Sequence, residues 1–319
     1  MQAVLYDQRG GPEVLRLADI DVPEPQVGEV LVRLVASSIN SWDWDLITGT
    51  WPFDKRSGQL GFDISGIVEQ VGSGVTRFKP GDAVLGDLAF EGAKAFAEYL
   101  VVKETYLAAK PEGLSFIDAA ALPQAGLLAA LGLSKAPEIK SGSRVLINGA
   151  GGGVGLLAIQ LAKIEGAHVT GVDSAIKLEA IRAAGADQAI DYAQTDFTRT
   201  GERYDRIIDV VARRSPFDFA RTLAPGGRLA VIGGAAGALL SVVSVGSMLA
   251  LLTGKRMGLA IHKPKMAELD RLTVLCTAGR LKPVIDSTYP LAKIQEAFAR
   301  YASGEFVGKI VIVIDPDRA

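Results

Sequence analysis

From the N-terminus to about residue 110, apolar positions come in short runs rich in β-branched residues, each bounded by Gly, Pro or Asp. The runs at 30–35, 64–71, 83–85 and 96–102 are of strand length, and Pro80-Gly81-Asp82 is the kind of punctuation that separates strands. This half is expected to be mainly β.

From about residue 115 the rhythm changes to apolar helical stretches alternating with short apolar strands, the pattern of a parallel sheet with helices on its faces. Residues 144–148 read as a strand, 154–165 as a helix and 168–172 as the next strand. A helix over 177–184 is ended by Gly185, 189–191 form a short third strand, and 204–211 and 227–233 complete the series. Beyond residue 263 the pattern predicts helices over 266–278 and 291–303 and a closing strand over 309–314, a tail that returns to the first domain. The fold class is therefore α/β, with a mainly β part and a doubly wound parallel sheet. Arg228 and Lys255 are separated by 26 uncharged residues, long enough in principle to span a bilayer. Gly233, Gly234, Gly237 and Gly246 interrupt that stretch, and Ser241, Ser244 and Ser247 add hydroxyls. A strand, a Gly-rich turn and an apolar helix at a pocket or subunit contact fit it better than an integral membrane segment.

The strongest chemical signal is Asn148-Gly149-Ala150-Gly151-Gly152-Gly153-Val154-Gly155, where a strand runs through glycines straight into a helix. Such a turn aims free backbone N–H groups and the positive end of a helix at a phosphate. Ala150, Gly152 and Gly155 fill the dinucleotide spacing with Ala first, and Gly149, Gly152 and Gly155 give a second, wider register. Asp173 ends the second strand, 18 residues beyond Gly155, where a carboxylate would accept bonds from an adenosine ribose. Ser174 and Lys177 follow on the same turn, and a hydroxyl and an ammonium there suit a 2′-phosphate instead. The bland alternatives are a packing turn for the glycines and a helix N-cap for Asp173.

Composition narrows the partners. Apolar residues make up 49% of 319 positions against 22% charged, and 34 basic side chains face 36 acidic ones for a net charge of −2, with no long Lys/Arg run, which argues against a nucleic-acid partner. The single Cys276 excludes an internal disulfide, and with only His168 and His262 besides, a metal site has few ligands to draw on. The first seven residues show neither the charged nor the apolar region of a secretory signal, and a cytoplasmic location is expected.

With these motifs in place the chain resembles the zinc-free quinone oxidoreductase, or zeta-crystallin-like, branch of the medium-chain dehydrogenase/reductase superfamily. The carriers are Ser38-Ile39-Asn40-Ser41-Trp42-Asp43, Gly61-Phe62-Asp63-Ile64-Ser65-Gly66, Val71-Gly72-Ser73-Gly74-Val75 and Phe78-Lys79-Pro80-Gly81-Asp82. To these add Ala119-Ala120-Ala121-Leu122-Pro123-Gln124-Ala125-Gly126-Leu127, the 149–155 turn, Ala184-Gly185-Ala186-Asp187, Ile190-Asp191-Tyr192 and Gly308-Lys309-Ile310-Val311. The resemblance implies a GroES-like catalytic domain over 1–123 and 264–319, a Rossmann domain over 124–263, a cleft holding NADPH (with NADH as an alternative), and a homodimer.

Zinc-dependent relatives carry Gly-His-Glu where this chain has Gly61-Phe62-Asp63, and a ligand Cys where it has Asn40, so the resemblance implies no zinc. It implies hydride transfer to a quinone or an α,β-unsaturated carbonyl, with hydrogen-bond donors at the acceptor oxygen. Asn40 is the first candidate donor, with Asp43 and Trp44 lining the pocket; a loop-holding Asn, an N-capping Asp and a core Trp are the alternatives. For the cofactor the resemblance points to Gly152, Gly153, Val154 and Gly155 at the pyrophosphate, and to Ser174, Lys177 and Tyr192, beside Asp173, at the adenosine phosphate. Val210 and Gly233 are expected near ribose and nicotinamide, and Lys309 in the closing motif. Leu128 departs from a frequent threonine, and Asp173 from a frequent uncharged residue. His262 is either a proton donor or a loop histidine, and Cys276 is expected in the core. A zinc-independent alcohol dehydrogenase, a non-catalytic NADPH-binding protein and a peripheral membrane protein using residues 242–252 are the rival readings.

Overall fold

In the computed structural model, which describes residues 1–50, 58–134 and 138–319, the chain forms two units, Met1–Leu127 with Lys263–Ala319, and Leu128–His262. The first stretch supplies strands β1 (Gln2–Tyr6), β2 (Arg16–Asp19), β3 (Glu29–Ser38), β4 (Gly58–Gln59), β5 (Asp63–Val71), β6 (Ala83–Asp87), β7 (Tyr99–Lys103) and β8 (Leu107–Ala109). Its helices are α1 (Ser41–Thr48), α2 (Phe116–Ala121) and the start of α3 (Pro123–Leu133), which passes into the second unit at Leu128. β3 is buried along most of its length because apolar layers cover both faces. Val30, Val32 and Leu34 pack with Val68, Val84 and Leu100, while Ala36 meets Ala120 and Ala121 of α2. Small side chains on both sides of that last contact let the helix lie close to the sheet.

The second unit is built from β9 (Arg144–Asn148), α4 (Gly153–Ile164), β10 (His168–Asp173), α5 (Leu178–Ala183), β11 (Gln188–Asp191), β12 (Tyr204–Asp209), α6 (Pro216–Thr222), β13 (Leu223–Val231), α7 (Ala236–Thr253) and β14 (Arg256–Leu259). Its sheet has six strands, all parallel, in the order β11-β10-β9-β12-β13-β14. The winding reverses between β9 and β12, which makes the C-terminal ends of those two strands the place where such sheets bind ligands. α4 buries Leu156, Leu157, Ile159 and Leu161, each contributing about 1.5–3 kcal/mol.

The uncharged stretch resolves into the end of β13, a Gly-rich turn and α7. α7 is long and apolar enough, by length and composition, to cross a membrane, yet Val242, Gly246 and Leu249 bury one side of it within its unit. Leu240, Val243, Met248, Leu251 and Leu252 stay exposed on the other.

The tail adds α8 (Met266–Thr277), β15 (Ile285–Pro290), α9 (Ile294–Ala302) and β16 (Lys309–Val313). β16 runs parallel to β15 and antiparallel to β3, with Val311 opposite Ser38, so the end of the chain completes a seven-stranded sheet started at residue 29. Several boundaries differ from the pattern. The strand expected over 96–102 starts at Tyr99, because Ala97 bridges Ala3 instead. The helices expected from 177 and 291 each open with a 3-10 turn, Ala175–Lys177 and Leu291–Lys293. β14 and β15 have weak patterns of their own; they form because an existing sheet edge supplies backbone partners.

Candidate active site

In the first unit, buried polar groups converge at the ends of β3, β5 and β16 and the starts of α1 and α3. Asp63, the first residue of β5, is fully buried, and its Oδ2 accepts from Ser38 Oγ at 2.7 Å, Asn40 Nδ2 at 2.9 Å and Lys309 Nζ at 3.2 Å. Its Oδ1 accepts from the backbone N–H of Gln124 at 2.8 Å. The Lys309 ammonium also donates to Ile39 O at 2.9 Å and Asn40 Oδ1 at 2.6 Å. All its hydrogens are thus engaged within the unit, and the cofactor contact expected of Lys309 has no hydrogen left to make. Asn40 is likewise held at both ends of its amide, with Ser38 O at 3.5 Å as a second, weak acceptor for Nδ2. The donor expected at Asn40 is therefore already directed at Asp63.

Asn40 is also the N-cap of α1, and Asp43 is the N3 residue that answers it: Asp43 Oδ2 accepts from Asn40 N at 2.9 Å. Asp43 Oδ1 accepts from Gly61 N at 2.7 Å, so one carboxyl ties the helix start to the turn before β5. Burial pushes this carboxyl up to about 7, against the two backbone N–H bonds and the Lys309 charge that favour its ionised form. Phe62 is buried in the apolar cluster of this unit and stacks on Trp42, ring centroids 4.9 Å apart. Trp44 packs on the same cluster, 6.0 Å from the Tyr301 ring. Among the described residues no three His, Cys, Asp or Glu side chains come together as a metal site.

In the second unit, β9 ends in the glycine turn and α4 begins. Gly149 has φ +84°, a conformation that favours glycine. At Gly155 a Cβ would lie 2.4 Å from Gly149 O and 2.5 Å from Ala150 Cα, so close packing of turn and helix requires its hydrogen. Gly152 is different. It is the N-cap of α4, its φ of −85° is open to any side chain, and a Cβ would meet nothing nearer than Gly149 O at 3.8 Å. Neither backbone nor packing asks for glycine there; the space kept open in front of the helix does. The first turn of α4 leaves the N–H groups of Gly153, Val154 and Gly155 without helical acceptors at the end of the helix that Gly152 caps. This arrangement fits the pyrophosphate of a dinucleotide.

The neighbouring residues gather around the same turn. Asp173 Oδ2 accepts from Gly151 N and its Oδ1 from Ser174 N, each at 2.8 Å, so the carboxylate braces the glycine turn and is not the helix cap of the alternative reading. Lys177, also buried, lays its stem against Gly151 and brings its ammonium 3.9 Å from Asp173 Oδ1. Tyr192 is exposed, and its N–H bonds to Asp173 O at 3.1 Å, joining the ends of β10 and β11. Val210 N donates to Asn148 O at 3.0 Å at the switch point, and Gly233, with φ +74°, follows β13. His262 and Leu128 are half-buried.

Sequence reasoning passed over the pair that closes the switch point. Asp209 Oδ1 accepts from Asn148 Nδ2 at 2.8 Å and from the N–H groups of Val211 and Ala212, which holds Ala212 at φ 53°. Burial raises the Asp209 carboxyl above the ordinary range, opposed by those bonds. The signal was available: both residues end strands at the reversal of the winding. Asp63 and Gln124 were quoted inside motifs without being weighed as individual groups.

A parallel dinucleotide-type sheet in one unit and a mainly β unit made from both chain ends define the medium-chain dehydrogenase/reductase architecture. Residues 26–112 match the alcohol dehydrogenase GroES-like domain family and residues 184–312 the zinc-binding dehydrogenase family. The chain is 33% identical to a chloroplastic quinone-oxidoreductase homolog of Spinacia oleracea, over 98% of each. It is 33% identical to a chloroplastic NADPH-dependent alkenal/one oxidoreductase of Arabidopsis thaliana, over 98% of this chain and 79% of that one. The solved quinone oxidoreductase of Coxiella burnetii superposes with a TM-score of 0.89 at 31% identity, over 98% of this chain and 99% of that one. This chain belongs to the quinone oxidoreductase branch of the medium-chain dehydrogenase/reductase superfamily.

Two predictions follow from the geometry. Gly152→Val is expected to melt within about 2 °C of the parent, a surface-like change, while weakening NADPH binding at least about tenfold; Gly155→Ala is expected to melt several degrees lower. Thermal melts and fluorescence titration separate the two effects, and a Gly152→Val protein that binds NADPH normally would remove the phosphate from this turn. Asp43→Asn turns an amide donor toward one of two N–H groups, at a cost of about 1–3 kcal/mol. The parent carboxyl keeps its proton in the folded state while the unfolded chain loses it, so its contribution is fully present below about pH 4 and is lost as pH rises to about 7. The stability gap between parent and Asp43→Asn should therefore shrink from about pH 4 to about pH 7 in denaturant titrations; a gap that widens contradicts a raised folded value.

Proposed function

We propose that this chain is an NADPH-dependent, metal-independent reductase of quinones and α,β-unsaturated carbonyls. The observation that carries the reading is the glycine turn at the switch point of the parallel sheet, with open space at Gly152 and first-turn N–H groups that have no helical acceptors. NADPH bound there supplies the hydride. The N–H groups of Gly153, Val154 and Gly155 hold its pyrophosphate, and Ser174, Lys177 and Tyr192 hold the adenosine phosphate. Asp173 supports this choice, because its carboxylate is turned to Gly151 and Ser174 and its charge is offset by Lys177. Val210 and Gly233 border the ribose and nicotinamide.

On the acceptor side, Asn40, Asp43 and Lys309 act as positioning groups around Asp63, fixing the loop between β3 and α1 and the turn before β5. Trp44 lends this loop an aromatic wall. Metal independence is supported by Phe62, which is packed in the core, and by an Asn40 amide already bonded on both sides. The test is NADPH consumption by the purified protein with a panel of quinones and enones, on which turnover is expected; none across the panel would overturn the proposal. On the same panel Lys177→Ala is expected to raise the NADPH KM about tenfold or more with little effect on NADH, and unchanged selectivity would remove Lys177 from the phosphate pocket.

The same reading places the protein in the cytoplasm as a homodimer. The lone thiol of Cys276, pushed up to about 12 by burial, suits a reducing compartment, and the apolar face of α7, with Leu251 89% exposed, suits a subunit contact. Light scattering at twice the chain mass and recovery in the soluble cytoplasmic fraction are the expected results; a monomer, or sedimentation with vesicles, would count against the respective assignment.

A further inference from the structure

Of the residues hydrogen-bonded to Asp63, one keeps a donor uncommitted. Ser38 gives its hydroxyl to Asp63, Lys309 has three acceptors, and Asn40 is held through both ends of its amide. Gln124 is fixed by its backbone N–H to Asp63 Oδ1, and it is 5% exposed, yet its side-chain Nε2 is buried without a hydrogen-bond partner among the described residues. An amide that has lost water on folding and gained no acceptor weakens the folded state, and a group of this kind calls for a reason to be kept, such as a ligand that completes it. Gln124 is the second residue of α3, so its place is set by the helix start as well as by Asp63.

We infer that the side-chain amide of Gln124 is the hydrogen-bond donor to the acceptor's carbonyl oxygen. This rests on the reductase reading given above and names the group that reading leaves unassigned. On an enone, hydride adds with its electron pair to the β-carbon and NADPH is oxidised to NADP⁺. The C=C pair then shifts, negative charge collects on the carbonyl oxygen, and a solvent proton completes the reduction. An N–H aimed at that oxygen stabilises the charge as it develops, and an amide does so without titrating. The chemistry selected is a carbonyl conjugated to the carbon that takes hydride, in a quinone or an enone alike.

Gln124→Met in the full chain keeps the volume and removes the donor. It is expected to lower kcat/KM for quinones and enones about 10- to 100-fold, with NADPH affinity unchanged, and to raise the melting temperature by about 2 °C or more by removing an unsatisfied buried group. Gln124→Glu provides a second readout: turnover should survive on the acid side, where the carboxylic acid donates, and disappear as the carboxylate forms. Gln124→Met activity within about threefold of the parent would overturn the inference while leaving the reductase reading intact. Activity and melting temperature falling together would overturn it too, by showing that the amide is bonded in the fold. If the parent itself reduces no acceptor, the underlying function is what fails.

Discussion

The Asp63 carboxylate is the point on which the first unit is organised. It is fully buried and takes bonds from β3, from the loop at Asn40, from the start of α3 and from Lys309 on β16. Lys309 lies 246 residues away in sequence, so the pair closes the unit at the same place where β16 joins β3. Burying two opposite charges is costly, and mutual attraction offsets the cost only when the remaining lone pairs and hydrogens are satisfied. Here the ammonium has three acceptors and each carboxylate oxygen a donor, which meets that condition. Removing either partner would leave an uncompensated buried charge, worth roughly 3–5 kcal/mol. The pair therefore acts less as a source of net stability than as a constraint on which strand end meets which loop.

That constraint explains why the fold was largely legible in the sequence and the polar centre only partly so. Strand runs such as 30–35 and 144–148 announce themselves because apolar layers cover β3 and the parallel sheet, and local pattern and burial agree there. The glycine turn is legible for a similar reason, since strand, turn and helix are contiguous. The Asn40 and Asp43 capping box was also readable from its spacing, and with it α1. What spacing cannot give is where a long side chain ends. Lys309 sits in a motif that suggested the cofactor, but its four-carbon stem carries the charge inward to Asp63. Asp173 was placed correctly at a strand end, yet which hydrogen bonds it would accept depended on a backbone N–H of Gly151, 22 residues earlier.

The two units solve a common problem in a common way. Each buries a carboxylate, Asp63 in one and Asp209 in the other, and each carboxylate holds an Asn side chain together with the backbone that follows a strand or starts a helix. In each unit the acid fixes a turn; the glycine turn ahead of α4 is braced by a further carboxylate, Asp173, through the Gly151 N–H. Neutral donors keep their hydrogens across the pH range in which carboxyl and imidazole groups titrate, so stabilisation of developing charge need not follow the protonation of the groups that position them. Asp43, its carboxyl raised to about 7, ties Asn40 to Gly61, so its ionisation bears on the geometry of the loop between β3 and α1.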